Sequence, residues 1–161
     1  ALLRAPDTPG LLTDKPYTNE HRVLLDNPGP LPWRVPQVEN DPSCNRWFIR
    51  FVVLRSTLAA VGSISFHGVP DADGMLEVGL GIEHEHRGNG YATEALLGMW
   101  AWACEQPEVR TLRYTVAPAN APSVSIIRSY GFEHRGQQLD EIDGPEDIYE
   151  LAAADFRARY L

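Results

Sequence analysis

A chain of 161 residues with a formal net charge of −8 is long enough for one domain with its own core. It is too acidic to grip a nucleic-acid backbone, which is held through basic surface. Two cysteines, Cys44 and Cys104, exclude a disulfide framework, and no metal-ligand spacing surrounds them, so reduced, buried thiols in a cytoplasmic protein are expected.

No apolar run approaches the roughly 18 residues of a membrane span, and the amino end lacks a signal-peptide core, so neither membrane insertion nor export is expected. A single domain over residues 1–161 is expected, with 1–45 as its least regular part. Thr18 to Asp26 reads as a short helix with Val23 and Leu24 inward. Pro28, Pro30, Pro32, Pro36 and Pro42 then predict a long irregular connection, of the kind that often forms a lid. Trp33 and Trp47 suggest that it packs down. Trp47–Leu54 and Leu58–Phe66 read as two strands joined at Arg55-Ser56-Thr57. Pro70-Asp71-Ala72-Asp73-Gly74 is a turn signal before a strand over 75–82.

That strand has two unlike faces. Leu76, Val78, Leu80 and Ile82 alternate with Glu77, Gly79 and Gly81. After it come Arg87-Gly88-Asn89-Gly90-Tyr91-Ala92 and a helix over about 90–105, whose apolar stripe runs through Ala92, Ala95, Leu96, Met99, Trp100 and Ala103. Trp100 reads as core and Trp102 as a surface aromatic. Pro107 breaks the helix, and Leu112, Tyr114 and Val116 alternate with Thr111, Arg113 and Thr115 in the next strand. Pro122 and Gly131 bracket a second helix. A hairpin from 132–139 to 148–152, across an acidic tip, completes the chain.

A strand, a glycine-rich turn and a helix together make a phosphate cradle, because the first helical turn carries unpaired N–H groups and a partial positive charge. Glycines at 88 and 90 admit close approach and positive φ. Three phosphate motifs compete. The NTPase P-loop lacks its Lys here, which also leaves a kinase or NTPase reading without support. The dinucleotide fingerprint has Thr93 where its third Gly or Ala belongs. The run does match R-x-x-G-x-[GA].

On that motif the chain resembles the GNAT superfamily of N-acetyltransferases. Asn120-Ala121-Pro122-Ser123 through Tyr130-Gly131-Phe132 is similar to the family's second signature. Glu77-Val78-Gly79 and Glu94-Ala95 resemble its ribosomal-protein N-terminal acetyltransferase branch. The likeness covers about 46–151. It implies an α/β (α+β) fold with a single mixed, mostly antiparallel central sheet flanked by helices. The donor it implies is acetyl-CoA, with no metal. Arg87, Gly88, Asn89, Gly90, Tyr91, Ala92 and Thr93 would meet the pyrophosphate. The backbone of Leu80, Gly81 and Ile82 would meet the pantetheine arm, and Asn120 would contact the cofactor. The glycines at 79 and 81 are also consistent with a bulge, and Asn120 with an Asx-turn that starts its helix.

Acetylation needs a neutral amine. An α-amine with pKa near 8 is about one-tenth neutral at pH 7, and a lysine near 10.4 only about 0.04%. Glu77 matches the family's base position and shares a face with the glycines, which makes it the candidate general base; a structural ion pair or hydrogen bond is the alternative. Many members use a Tyr seven residues after the Asn of the second signature, where this chain has Ile127. In the branch named above the signature Ser takes that role, so Ser123 is the candidate acid, with a helix-start role as the alternative. Tyr114 is another candidate acid, though its strand position predicts inward packing.

His84-Glu85-His86 lacks a third neighbouring ligand and reads as solvated loop. Glu141, Asp143, Glu146 and Asp147 read as a solvated tip, or as a rim that attracts a cationic acceptor. The expected partners are therefore acetyl-CoA and an amine-bearing small molecule or peptide N-terminus, with a homodimer left open. A non-catalytic acyl-CoA-binding module of the same fold is the rival reading, favoured by Ile127.

Overall fold

The computed structural model describes residues 17–141 and 144–161. Six strands pair in the order β1-β2-β3-β4-β6-β5: β1 (Arg50–Val53), β2 (Ala60–Phe66), β3 (Met75–Ile82), β4 (Thr111–Val116), β5 (Glu133–Asp140) and β6 (Gly144–Ala152). The helices are α1 (Leu31–Asn40), α2 (Tyr91–Cys104), α3 (Ala121–Ser129) and α4 (Ala153–Tyr160). The β3–β4 pair is parallel, and the pairs β1–β2, β4–β6 and β5–β6 are antiparallel. The mixed, helix-flanked sheet expected from the sequence is present. Contacts divide the chain into two compact units, 1–69 with 80–96 and 70–79 with 97–161. Both β3 and α2 run through the two.

In the first unit, β2 is buried along nearly its whole length, without alternation, as in a strand covered on both faces. Val61, Ile64 and Phe66 of β2 belong to a core that includes Val23, Leu24, Trp47 and Phe48. Two expectations fail here. No helix forms between Thr18 and Asp26. Thr18 bridges Ala59, and Arg22 and Leu24 take positive φ (54° and 63°), which a right-handed helix does not permit. The proline-rich stretch, by contrast, is not irregular. Pro30 and Pro32 occupy the start of α1, where a missing N–H removes no intrahelical bond, and the helix continues through Pro36. Its orientation reverses the expectation for Trp33, which is 52% exposed while the neighbouring Arg34 is 8% exposed. The Arg34 guanidinium lies 5.5 Å from the Phe48 ring centroid. Asp41 then accepts hydrogen bonds from the Ser43 N–H and hydroxyl, capping the 3-10 turn Pro42–Trp47.

The second unit is built around Trp100, which is fully buried. Its ring lies 4.6 Å from Phe132, 5.3 Å from Tyr130 and 6.0 Å from Phe156. Phe156 comes from α4, an element the sequence reading leaves out. Strand β4 alternates as expected, with Leu112, Tyr114 and Val116 buried. Asn120 caps α3 and Gly131 follows it at φ 84°. Cys44 and Cys104 are buried free thiols. Among the described residues no helix is long and apolar enough to cross a membrane.

Candidate functional site

In the first unit the turn expected to receive phosphate is assembled from backbone. Gly88 and Gly90 take φ values of 77° and 82°, a region that costs other residues about 1–2 kcal/mol. No heavy atom of the described residues lies within 4 Å of where a Cβ would stand on either, so conformation and not crowding calls for glycine. Side chains brace it from behind. The Arg87 Nε–H donates to the Ile82 carbonyl at 2.8 Å, and Asn89 Nδ2 donates to the carbonyls of His86 (3.0 Å) and Arg87 (3.1 Å). The Glu94 N–H reaches the Gly90 carbonyl at 3.0 Å, so the helix begins directly on the second glycine. Tyr91, Ala92 and Thr93, all half-buried, form its first turn.

The end of β3 has the same open character. A Cβ on Gly81 would meet nothing within 4 Å among the described residues, and Gly81 is exposed. Leu80 is half-buried and Ile82 buried. Gly62 of β2 explains how the strand comes so close: a Cβ there would clash with the Gly81 carbonyl and with Ile82. Close packing is held on one side and space is left on the other.

The chemistry-bearing candidates Glu77, Asn120 and Ser123 lie in the second unit. The parallel register pairs Met75–Glu77 with Thr111–Arg113. The Glu77 carboxylate accepts a hydrogen bond from the Thr115 hydroxyl at 2.6 Å. Thr115 shares a β4 face with Arg113, which is itself forked onto Glu150 at 2.6 and 2.8 Å. Tyr114 points to the opposite face. It is buried and hydrogen-bonded to Ser123. Burial pushes the Tyr114 phenol above its usual pKa; the Ser123 hydrogen bond pulls it down and the Glu146 carboxylate adds to the rise. Inward packing of Tyr114 was expected, whereas its bond to Ser123 was not. Nor was Thr115 singled out, although its place on the Glu77 face was readable from strand alternation.

Asn120 performs the capping role weighed above: its side chain accepts from the Ser123 N–H at 3.3 Å. Ile127 is fully buried and belongs to the core. In the acidic hairpin, Asp147 accepts from Gln137 at 2.9 Å and contacts His134 at 3.2 Å, while Glu146 accepts from Gln138 at 3.0 Å. These two carboxylates thus make cross-strand pairs between β5 and β6. Glu141 is exposed, and Asp143 lies outside the described residues.

A family model described as an acetyltransferase (GNAT) domain matches residues 16–133. An uncharacterized N-acetyltransferase, p20, of Bacillus licheniformis is 26% identical over 105 residues, covering 65% of this chain and 59% of its own. The chain thus spans about three-fifths of that relative's length. Among solved structures, the ribosomal-protein-S5-alanine acetyltransferase of Vibrio fischeri superposes with a TM-score of 0.63 at 15% identity, over 76% of this chain and 69% of that one. An aminoglycoside acetyltransferase in complex with coenzyme A gives 0.58 at 18% identity, over 66% of each chain. At such identities these structures establish the fold alone.

Proposed function

Because the chain belongs to the GNAT acetyltransferase domain family, we propose that it is an acetyl-CoA-dependent N-acetyltransferase acting on a primary amine by direct attack. The observation that carries this reading is the turn at 87–91, with two positive-φ glycines open to solvent at the start of a 14-residue helix. Backbone N–H groups there suit the pyrophosphate of CoA. The open Gly81 position suits a pantetheine arm lying along the end of β3.

In the second unit, the amine nitrogen attacks the thioester carbonyl, the C–S bond breaks and CoA leaves as a thiolate. Glu77 takes the amine proton, directly or through water. The Thr115 hydroxyl on its carboxylate fixes the orientation. Ser123 supplies the proton to sulfur. Burial keeps the Tyr114 phenol protonated, and its hydrogen bond with Ser123 holds the serine side chain in place. Glu77 and Tyr114 lie on opposite faces of the paired β3 and β4 strands, so the base and the Ser123 pair act from different faces. A thiolate leaving group with pKa near 8.5 needs little help, so Ser123→Ala lowers kcat by less than about tenfold.

We assign the acceptor to the peptide N-terminus or small-amine class. The Glu77-Val78-Gly79 and Glu94-Ala95 resemblances favour the ribosomal-protein branch. The test is CoA release from acetyl-CoA over a panel of peptides and small amines. Release with one class of acceptor supports the reading. Tight acetyl-CoA binding with no release for any amine would instead establish the non-catalytic module that the buried Ile127 leaves as the alternative.

A further inference from the structure

His86 closes a short 3-10 turn (His84–His86) immediately before the phosphate-receiving turn. Its partner is 65 positions away in sequence: the Nε2 atoms of His86 and His21 stand 2.9 Å apart. Their rings are edge-on at 78°, with centroids 4.4 Å apart. A collinear N–H···N hydrogen bond of that length would hold the centroids about 5 Å apart. At 4.4 Å the Nε2–Nε2 contact is a hydrogen bond whose line departs from the ring axes.

Both distances also match those set by a shared ion. Two imidazoles directing their Nε2 lone pairs at right angles onto an ion about 2.0–2.1 Å from each would place the nitrogens about 2.9 Å apart and the centroids about 4.5 Å apart. We propose that His21 and His86 are the two protein ligands of a divalent transition-metal site beside the phosphate-receiving turn. Solvent completes the coordination, since no group of three His, Cys, Asp or Glu side chains is clustered for a metal among the described residues.

Imidazole nitrogen selects late first-row metals, and a right-angle pair fits tetragonal or octahedral Cu(II) and Ni(II). Tetrahedral Zn(II) asks for nitrogens about 3.3 Å apart and fits less well.

His21 is presented by a preformed loop. Asn19 accepts from the Val23 N–H at 2.9 Å and donates to its carbonyl at 3.1 Å. The Arg22 N–H reaches the Asn19 carbonyl at 3.1 Å. His86 is tied in turn to the phosphate-receiving turn, because its carbonyl accepts from Asn89. An ion at this point therefore joins the 19–24 loop to the segment that bears Arg87 and Gly88. Sequence spacing around His84-Glu85-His86 points away from a metal because the completing ligand is His21, which no local pattern reveals.

The test is calorimetric titration of the tag-free, EDTA-stripped full chain with Ni(II), with Mg(II) as a hard-cation control, for the parent protein and for His21→Ala, His86→Ala and His84→Ala. One Ni(II) per chain is expected. Each of the first two substitutions should weaken it at least about tenfold, the loss that even an outer partner of a metal ligand can cause, while His84→Ala stays within about twofold. Equal binding by the parent and the His21 and His86 variants would overturn the site, as would an equal loss in His84→Ala. A second measurement needs no variant: the Cu(II) electron paramagnetic resonance spectrum of the parent should show superhyperfine coupling to two imidazole nitrogens, and coupling to one or none would overturn the proposal.

Discussion

Two helices begin after a strand and a turn, and they begin in opposite ways. At α3 the chain satisfies its own first turn: Asn120 folds back onto the Ser123 N–H, and Ser123 is in turn engaged by a buried phenol. At α2 the approach is made by two positive-φ glycines with open space where side chains would stand, and the bracing side chains, Arg87 and Asn89, act on carbonyls behind the turn. The same backbone electrostatics are neutralised internally in one case and left available in the other. A helix start is therefore a candidate ligand site where the chain leaves its polar groups facing outward.

The largest effect should separate the chemistry of the second unit from the grip of the first. Glu77→Gln should lower kcat by about 10²-fold with acetyl-CoA affinity unchanged; a wild-type rate in steady-state assays would remove Glu77 as the base. Next, Gly90→Ala should cost about 1–2 kcal/mol in chemical denaturation, from backbone conformation alone. It should also raise the Kd for acetyl-CoA by about tenfold, since each 1.4 kcal/mol of binding free energy is a factor of ten. An unchanged Kd would show that the open turn is not the grip.

At the other helix start, Asn120→Ala should lower stability by about 1 kcal/mol, and Asn120→Ser should restore most of it. A parallel loss of acetyl-CoA affinity in both would mean that the amide also touches the cofactor, and would break the contrast.

The smallest effect concerns the core behind α2. Burial pushes the Cys104 thiol up to about 11, above its unfolded value near 8.5. The unfolded chain loses this proton first, so stability is full below about pH 8.5 and is lost as pH rises towards about 11. Cys104→Ser should flatten that alkaline slope in pH-dependent denaturation.

Strand β3 was legible to the residue, because two incompatible faces alternate along it. Helix α3 was bracketed by Pro122 and Gly131. Helix α1 was not legible. Three prolines in seven residues suggest a broken chain, yet two of them fall at a helix start, where the lost N–H has no partner to lose. Trp33 is exposed and Arg34 buried because a cation can bury its guanidinium against a ring, here that of Phe48. Helix α4 carries only a short apolar signal and rests on Phe156 meeting Trp100.

The sequence by itself determined the elements that local chemistry dictates: the alternating strands, the glycine turn, the capped α3 and the family motifs laid over them. Tertiary structure alone decided which groups face one another. Thr115 was set on Glu77, Tyr114 on Ser123 and His21 on His86 across separations of 38, 9 and 65 positions. Spacing along a chain encodes the period of one helix or strand, and nothing in it encodes the register between strands or the fold of a loop onto a distant turn.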